Sequence, residues 1–132
     1  MNCVEGWDVT ILWEGVLLKD LFAEARVRPE AKLVIFRAQD GYSTSESLDY
    51  ILRNNIILAH KMNEVVIPPE RGFPFHLVAE SKWGYKWAKW ITDIELSDDT
   101  DFRGFWESRG YSNLGDRSKS FYESSRPLYG FD

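Results

Sequence analysis

The run Lys32-Leu33-Val34-Ile35-Phe36-Arg37-Ala38 places the first constraint on the fold. Its apolar, β-branched centre suits a buried strand. Shorter apolar runs follow at residues 56–62, 65–67, 75–79 and 90–96, and each reads as a strand. Turn signals separate them: Asp40-Gly41, Asn63-Glu64 and Pro68-Pro69. Pro74 puts the strand after it at a sheet edge or at its own start. Helical spacing appears at residues 17–26, where Leu17, Leu18, Leu21, Phe22 and Ala25 recur. Gly15 marks a turn ahead of that helix, and Pro29 bars its extension. Ser45 or Ser47 caps a second short helix over residues 48–54, with Leu48, Ile51 and Leu52 inward. Residues 1–14 read as extended chain or a loop entering a strand. The expected class is α+β, a mixed sheet with a barrel-like core and short helices.

A length of 132 residues suits one domain with a real core. The expected division is a domain over residues 1–117 and an irregular tail over 118–132, which packs by its Phe and Tyr residues or frays. A formal net charge of −5 argues against non-specific nucleic-acid binding, which leans on many cations against phosphate. A local basic patch remains compatible with it. One cysteine excludes an intrachain disulfide and agrees with a reducing compartment. No run approaches a transmembrane span, and charges interrupt the first apolar stretch too early for a signal peptide. The expected location is cytoplasmic, or exported if a preceding segment carries a signal. Six tryptophans imply either a heavily aromatic core or a binding cleft.

That single cysteine, Cys3, stands beside Glu5-Gly6-Trp7. A lone cysteine is commonly a buried small hydrophobe. As a thiolate it prefers soft metals, yet one sulfur cannot build a zinc site. His60 and His76 do not show zinc-motif spacing. A single thiolate makes sense for a metal that arrives already held by a cofactor. A nucleophilic Cys–His pair is the rival chemistry, without a local signature around Cys3.

A second dense segment runs from Arg71 to His76 and on through Lys82-Trp83-Gly84-Tyr85-Lys86-Trp87-Ala88-Lys89-Trp90. Lys82, Lys86 and Lys89 would share one helical face, or lie on a loop with a short turn. They read as a solvated basic patch beside packed tryptophans, or as a phosphate cradle completed by backbone N–H groups. Arg71 is either a surface arginine or an anion ligand through its N–H fork. Asp40-Gly41-Tyr42 is a turn that can also form one wall of a site.

In order and spacing these segments resemble the oxidoreductase molybdopterin-binding domain, the sulfite-oxidase fold, closest to its bacterial methionine sulfoxide reductase branch. The resemblance rests on CVEGW, W-x-G-V-x-L-K-D-L, a strand ending in A-x-D-G-Y, MNEVVIPPERGFPFHLV, WGYKWAKWITDIEL and GFWESRGYS. It runs from Cys3 to about Ser112. It implies a molybdenum–molybdopterin cofactor, with the metal held by two pterin sulfurs and by the thiolate of Cys3. It further implies cofactor contacts at Ala38, through its backbone, and at Arg71, His76, Trp87, Ala88 and Lys89, with Lys89 on the phosphate. The implied reaction is oxygen-atom transfer, cycling Mo(VI) and Mo(IV), on a small-molecule substrate. Electrons would pass through an external electron-transfer protein, since the chain carries no haem or iron–sulfur motif.

Three departures stand beside the resemblance. The family places a substantial segment before its cysteine, whereas Met1 and Asn2 alone precede Cys3, so the fold reads as truncated at the front. His76 occupies a position where the family usually has arginine. Ser108 stands where sulfite oxidases carry a catalytic tyrosine, so no residue receives a catalytic role. The alternative function is a non-catalytic protein- or ligand-binding domain that keeps the fold without a complete cofactor site.

Overall fold

The computed structural model describes residues 11–122. Its elements run β1 (Trp13–Leu17), α1 (Leu18–Ala25), β2 (Leu33–Ala38), β3 (Ser43–Ser47), α2 (Leu48–Arg53), β4 (Ile57–Met62), β5 (Val65–Val66), β6 (His76–Val78) and β7 (Ile91–Ser97). Short 3-10 turns cover Pro69–Arg71, Gly84–Lys86 and Glu107–Arg109. The α+β class stands. The strands make two antiparallel sheets, and among the described residues no barrel closes. No helix among the described residues is long and apolar enough to cross a membrane.

The apolar run becomes the central strand of one sheet, ordered β3-β2-β7. Leu33, Val34, Ile35, Phe36 and Ala38 are all buried, as a strand paired on both edges and covered on both faces requires. Full burial of Phe36 contributes about 1.5–3 kcal/mol. In the other sheet β4 pairs with β1 on one edge, and with β5 and β6 on the other. One core cluster binds the two sheets and both helices together through Leu18, Phe22, Phe36, Ile51, Leu58, Leu77 and Ile91.

Both expected helices form within a residue or two of their predicted ends. The α2 cap is Ser47, whose Oγ accepts the Tyr50 N–H at 3.0 Å. Asp40-Gly41 forms the β2–β3 turn. Gly41 sits at φ 89°, and Asp40 Oδ1 accepts the Tyr42 N–H at 3.1 Å.

Two expectations need correction, and one strand stands where none was expected. Gly15 is not a turn residue. It lies inside β1, where a Cβ would come within 2.1 Å of Leu58 O, so it permits the close approach of β1 to β4. Residues 43–47, where no strand was expected, form β3, which pairs with β2 along its whole length, and Thr44, Ser45 and Glu46 are buried. Finally, Lys82 and Lys86 form no solvated patch and no phosphate cradle. Both are buried, and each ammonium is occupied by protein oxygens.

The start of the expected tail docks by its aromatics. Trp83 Nε1–H donates to Lys119 O at 3.0 Å, and the Phe121 ring meets Trp83 edge-on at 5.8 Å.

Candidate cofactor site

Residues 87–91 form the hub of the site. Ala88 O accepts the Leu77 N–H at 2.8 Å. The Trp90 N–H donates to Gly72 O at 3.0 Å, and the Ile91 N–H to Phe75 O at 3.2 Å. On the opposite side, Gln39 N–H donates to Trp90 O at 3.0 Å, and Ala38 pairs with Ile91 across β2 and β7. This short stretch therefore draws the end of β2, the Pro69–Arg71 turn and the start of β6 to one place.

Gly72 is the pivot between the two basic segments. At φ 123° its backbone suits glycine. A Cβ there would meet Lys89 Cβ at 2.8 Å and His76 Cδ2 at 3.1 Å. The missing side chain is what lets Lys89 and His76 approach the same point beside Arg71.

A surface cavity of about 220 Å³ opens next to this hub. It is lined by Asp40, Tyr42, Gly84, Trp87, Lys89, Trp90 and Trp106. Whole ligand pockets run to about 300–1,000 Å³, so this one suits an end of a ligand. The expected wall from the Asp40–Tyr42 turn is present. Of the expected contact residues, Trp87 and Lys89 line the cavity. Ala38, Arg71, His76 and Ala88 are not among its lining residues. Cys3 lies outside the described residues. The tryptophans Trp90 and Trp106 escaped sequence reasoning. Trp90 falls at the start of the strand expected over residues 90–96, and Trp106 enters only within the segment GFWESRGYS.

The electrostatics sort these groups by role. Lys89 is exposed, with its ammonium 4.7 Å from the centre of the Trp90 ring. His76 is buried, and burial pushes its imidazole down to about 4, helped by the nearby Lys89 charge. Its Nδ1 lies 2.8 Å from Leu77 O, an acceptor, so the proton sits on Nδ1. At neutral pH His76 is thus an uncharged ring. It packs 4.7 Å from Trp13 and edge-on to Trp87, and lacks the charge of the arginine expected there. Burial, with Glu107 and Asp40 adding to it, pushes the Tyr42 phenol well above its ordinary range. It stays protonated and donates to Tyr85 O.

Next to the cavity residues Trp87 and Trp106 in the chain lies a largely buried ionic network. Lys86 Nζ reaches Ser45 O at 2.8 Å and Glu107 Oε2 at 2.9 Å, and Thr44 Oγ1–H donates to that same carboxylate oxygen at 2.6 Å. Lys82 Nζ meets Asp116 Oδ1 at 2.6 Å and Leu114 O at 2.7 Å, with Glu46 Oε2 at 3.7 Å and the Tyr50 ring beneath it. Burial pushes the Glu46 carboxyl up to about 7, against the pull of Lys86 and Lys82. Lys86 precedes the cavity residue Trp87, and Glu107 follows the cavity residue Trp106. Their ion pair ties two of the walls together.

Residues 2–106 of this chain match the family model described as the oxidoreductase molybdopterin binding domain. The chain belongs to that family. It is 36% identical over 117 residues to the uncharacterized oxidoreductase YuiH of Bacillus subtilis, a match covering 88% of this chain and 59% of that protein. The catalytic subunit MsrP of the Campylobacter jejuni protein-methionine-sulfoxide reductase is 29% identical, over 96% of this chain and 46% of its own length. The sulfane dehydrogenase SoxCD of Paracoccus pantotrophus shares the fold, with a TM-score of 0.61 and 27% identity over 76% of this chain and 25% of that one. The chain thus spans less than two thirds of these relatives.

The residues present fit the group the family binds. Lys89 supplies at the cavity a cation of the kind that holds a phosphate, and Arg71 stands next in the chain to Gly72. Trp87, Trp90 and Trp106 supply flat faces suited to a ring system. Gly72, with no Cβ, lets Lys89 and His76 close on one point, since a Cβ there would already crowd Lys89 Cβ at 2.8 Å.

Proposed function

We propose that this chain is the cofactor-holding part of a molybdopterin-dependent oxidoreductase that carries out oxygen-atom transfer on a small molecule. The observation that supports it most is the convergence of Ala38, Arg71, His76, Trp87, Ala88 and Lys89 on one hub beside a cation-bearing aromatic cavity. When bound, the molybdenum–pterin group supplies the redox chemistry.

The chain's own residues do the rest. Cys3 would offer its thiolate to the metal. Lys89 and Arg71 bind the anionic end of the pterin. Trp87, Trp90 and Trp106 would offer flat apolar faces to its ring and limit water around it. Ala38 and Ala88 contribute through the backbone alone. His76, neutral and fixed by Leu77 O, orients the ring beside it without adding charge. Tyr42 keeps its phenolic proton near the cavity. Electrons travel to or from an external protein partner.

Expression in a host that makes the cofactor tests this reading. The purified chain is expected to carry molybdenum and releasable pterin. Cys3→Ser should lose the metal while its melting temperature holds. A folded wild-type chain with neither metal nor pterin would instead support a binding domain that kept the fold and lost the site.

A further inference from the structure

Trp87, Lys89 and Trp90 line one cavity, although Lys89 and Trp90 are neighbours in the chain. Successive residues of extended chain point to opposite faces, so adjacent side chains should not share one wall. The backbone of Trp90 resolves this. It lies in the left-handed region at φ 55°, immediately before β7 begins at Ile91. A bulky residue is rarely found there, and no glycine relieves the turn.

Three hydrogen bonds hold Trp90 in place. Its N–H donates to Gly72 O at 3.0 Å, and its O accepts from Gln39 N–H at 3.0 Å. Its indole Nε1–H donates to Pro69 O. The ring, folded back by the turn, meets the Lys89 ammonium at 4.7 Å from its centre, inside the range of a cation–π contact. Lys89 is the one cation among the described residues lining the cavity.

Strained residues persist where the surroundings over-determine them, and they cluster at functional sites. We propose that Trp90 is a positioning residue. Its left-handed backbone turns the indole onto the same side as Lys89 and holds that ammonium at the cavity for the anionic end of the ligand. The identity of the anion rests on the cofactor reading given above. The placement of Lys89 by Trp90 does not.

Variants at this position of the full chain separate strain from positioning. Trp90→Ala removes the ring and keeps the backbone strain, whereas Trp90→Gly removes both. The glycine variant should melt at a higher temperature than the alanine variant, reversing the order found at ordinary positions. With lysine side chains isotopically labelled, the Lys89 ε-methylene resonance should show an upfield ring-current shift. That shift should vanish in both variants and return in Trp90→Phe. Inorganic phosphate added to the cofactor-free chain should perturb the same resonance. Its dissociation constant should rise about tenfold in the alanine and glycine variants and recover in Trp90→Phe.

An alanine variant at least as stable as the glycine variant overturns the proposal. So does a Lys89 resonance that ignores loss of the ring, or phosphate binding unchanged by it. Absence of molybdenum from the wild-type chain, with all of these signatures intact, would remove the cofactor reading and leave the positioning role standing.

Discussion

Lys86 Nζ lies 2.9 Å from Glu107 Oε2, and both side chains are 0% exposed. The pair spans the back of the cavity between Trp87 and Trp106. Removing one partner strands the other charge in the interior. Lys86→Met alone should therefore destabilise the fold by about 3–5 kcal/mol. Glu107→Leu alone should do the same, with Thr44 Oγ1 also losing its acceptor. The double variant should recover much of the loss, because two apolar groups replace two desolvated charges. Urea unfolding of the two single variants and the double variant checks this. Additive losses in the double variant would show that the pair does not act as a unit.

Two buried groups should give opposite pH slopes. Glu46 is raised from an ordinary value of 4.5 to about 7, so the folded chain binds more protons than the unfolded chain across that window. Its contribution is fully present below pH 4.5 and is lost as pH rises through 7. His76 is lowered from 6.5 to about 4, so its contribution is present above pH 6.5 and is lost as pH falls through 4. The windows overlap, and the two slopes oppose each other between them. Glu46→Gln should expose stability that rises with pH across the His76 window. His76→Phe should expose stability that falls with pH across the Glu46 window. Chemical denaturation at a series of pH values measures both, and matching slopes in the two variants would contradict the assignments.

Much of the fold was legible because apolar runs and turn residues act locally. The Leu33–Ala38 strand, both helices and the Asp40-Gly41 turn follow from spacing and from what glycine, proline and serine do to a backbone. What escaped depends on long-range partners. β3 carries no apolar run to announce it, and the groups that satisfy Thr44 and Ser45, on Glu107 and Lys86, come from residues more than forty positions away. Lys82 and Lys86 read as surface cations for the same reason, since Glu46, Glu107 and Asp116 reach them only through tertiary structure. At the site, the Asp40–Tyr42 wall could be anticipated. The inclusion of Trp90 could not, because it depends on a left-handed residue where alternation assigns the indole to the other face.

Gly15 allows a sharp test of strand packing. A Cβ at this position would lie 2.1 Å from Leu58 O and 2.6 Å from Ala59 Cα, both backbone atoms that cannot swing away. Gly15→Ala should force β1 off β4 and cost about 1–3 kcal/mol, with loss of amide protection along Val16 and Leu17. Protection unchanged at these residues would show that the sheet accommodates the methyl group.

Gly41 and Gly72 separate backbone strain from local crowding. Both have positive φ, at 89° and 123°, so alanine is disfavoured at each. A Cβ at Gly41 meets nothing within 4 Å, so Gly41→Ala should cost about 1–2 kcal/mol and leave the site intact. A Cβ at Gly72 meets Lys89 Cβ at 2.8 Å and His76 Cδ2 at 3.1 Å. Gly72→Ala should therefore displace Lys89 and His76 as well as lose stability. The two variants are best compared by the chemical shifts of the His76 ring and the Lys89 side chain. Large shifts in Gly72→Ala beside near wild-type values in Gly41→Ala would tie the glycine to the geometry of the site. Equal, small shifts in both would reduce Gly72 to a turn residue.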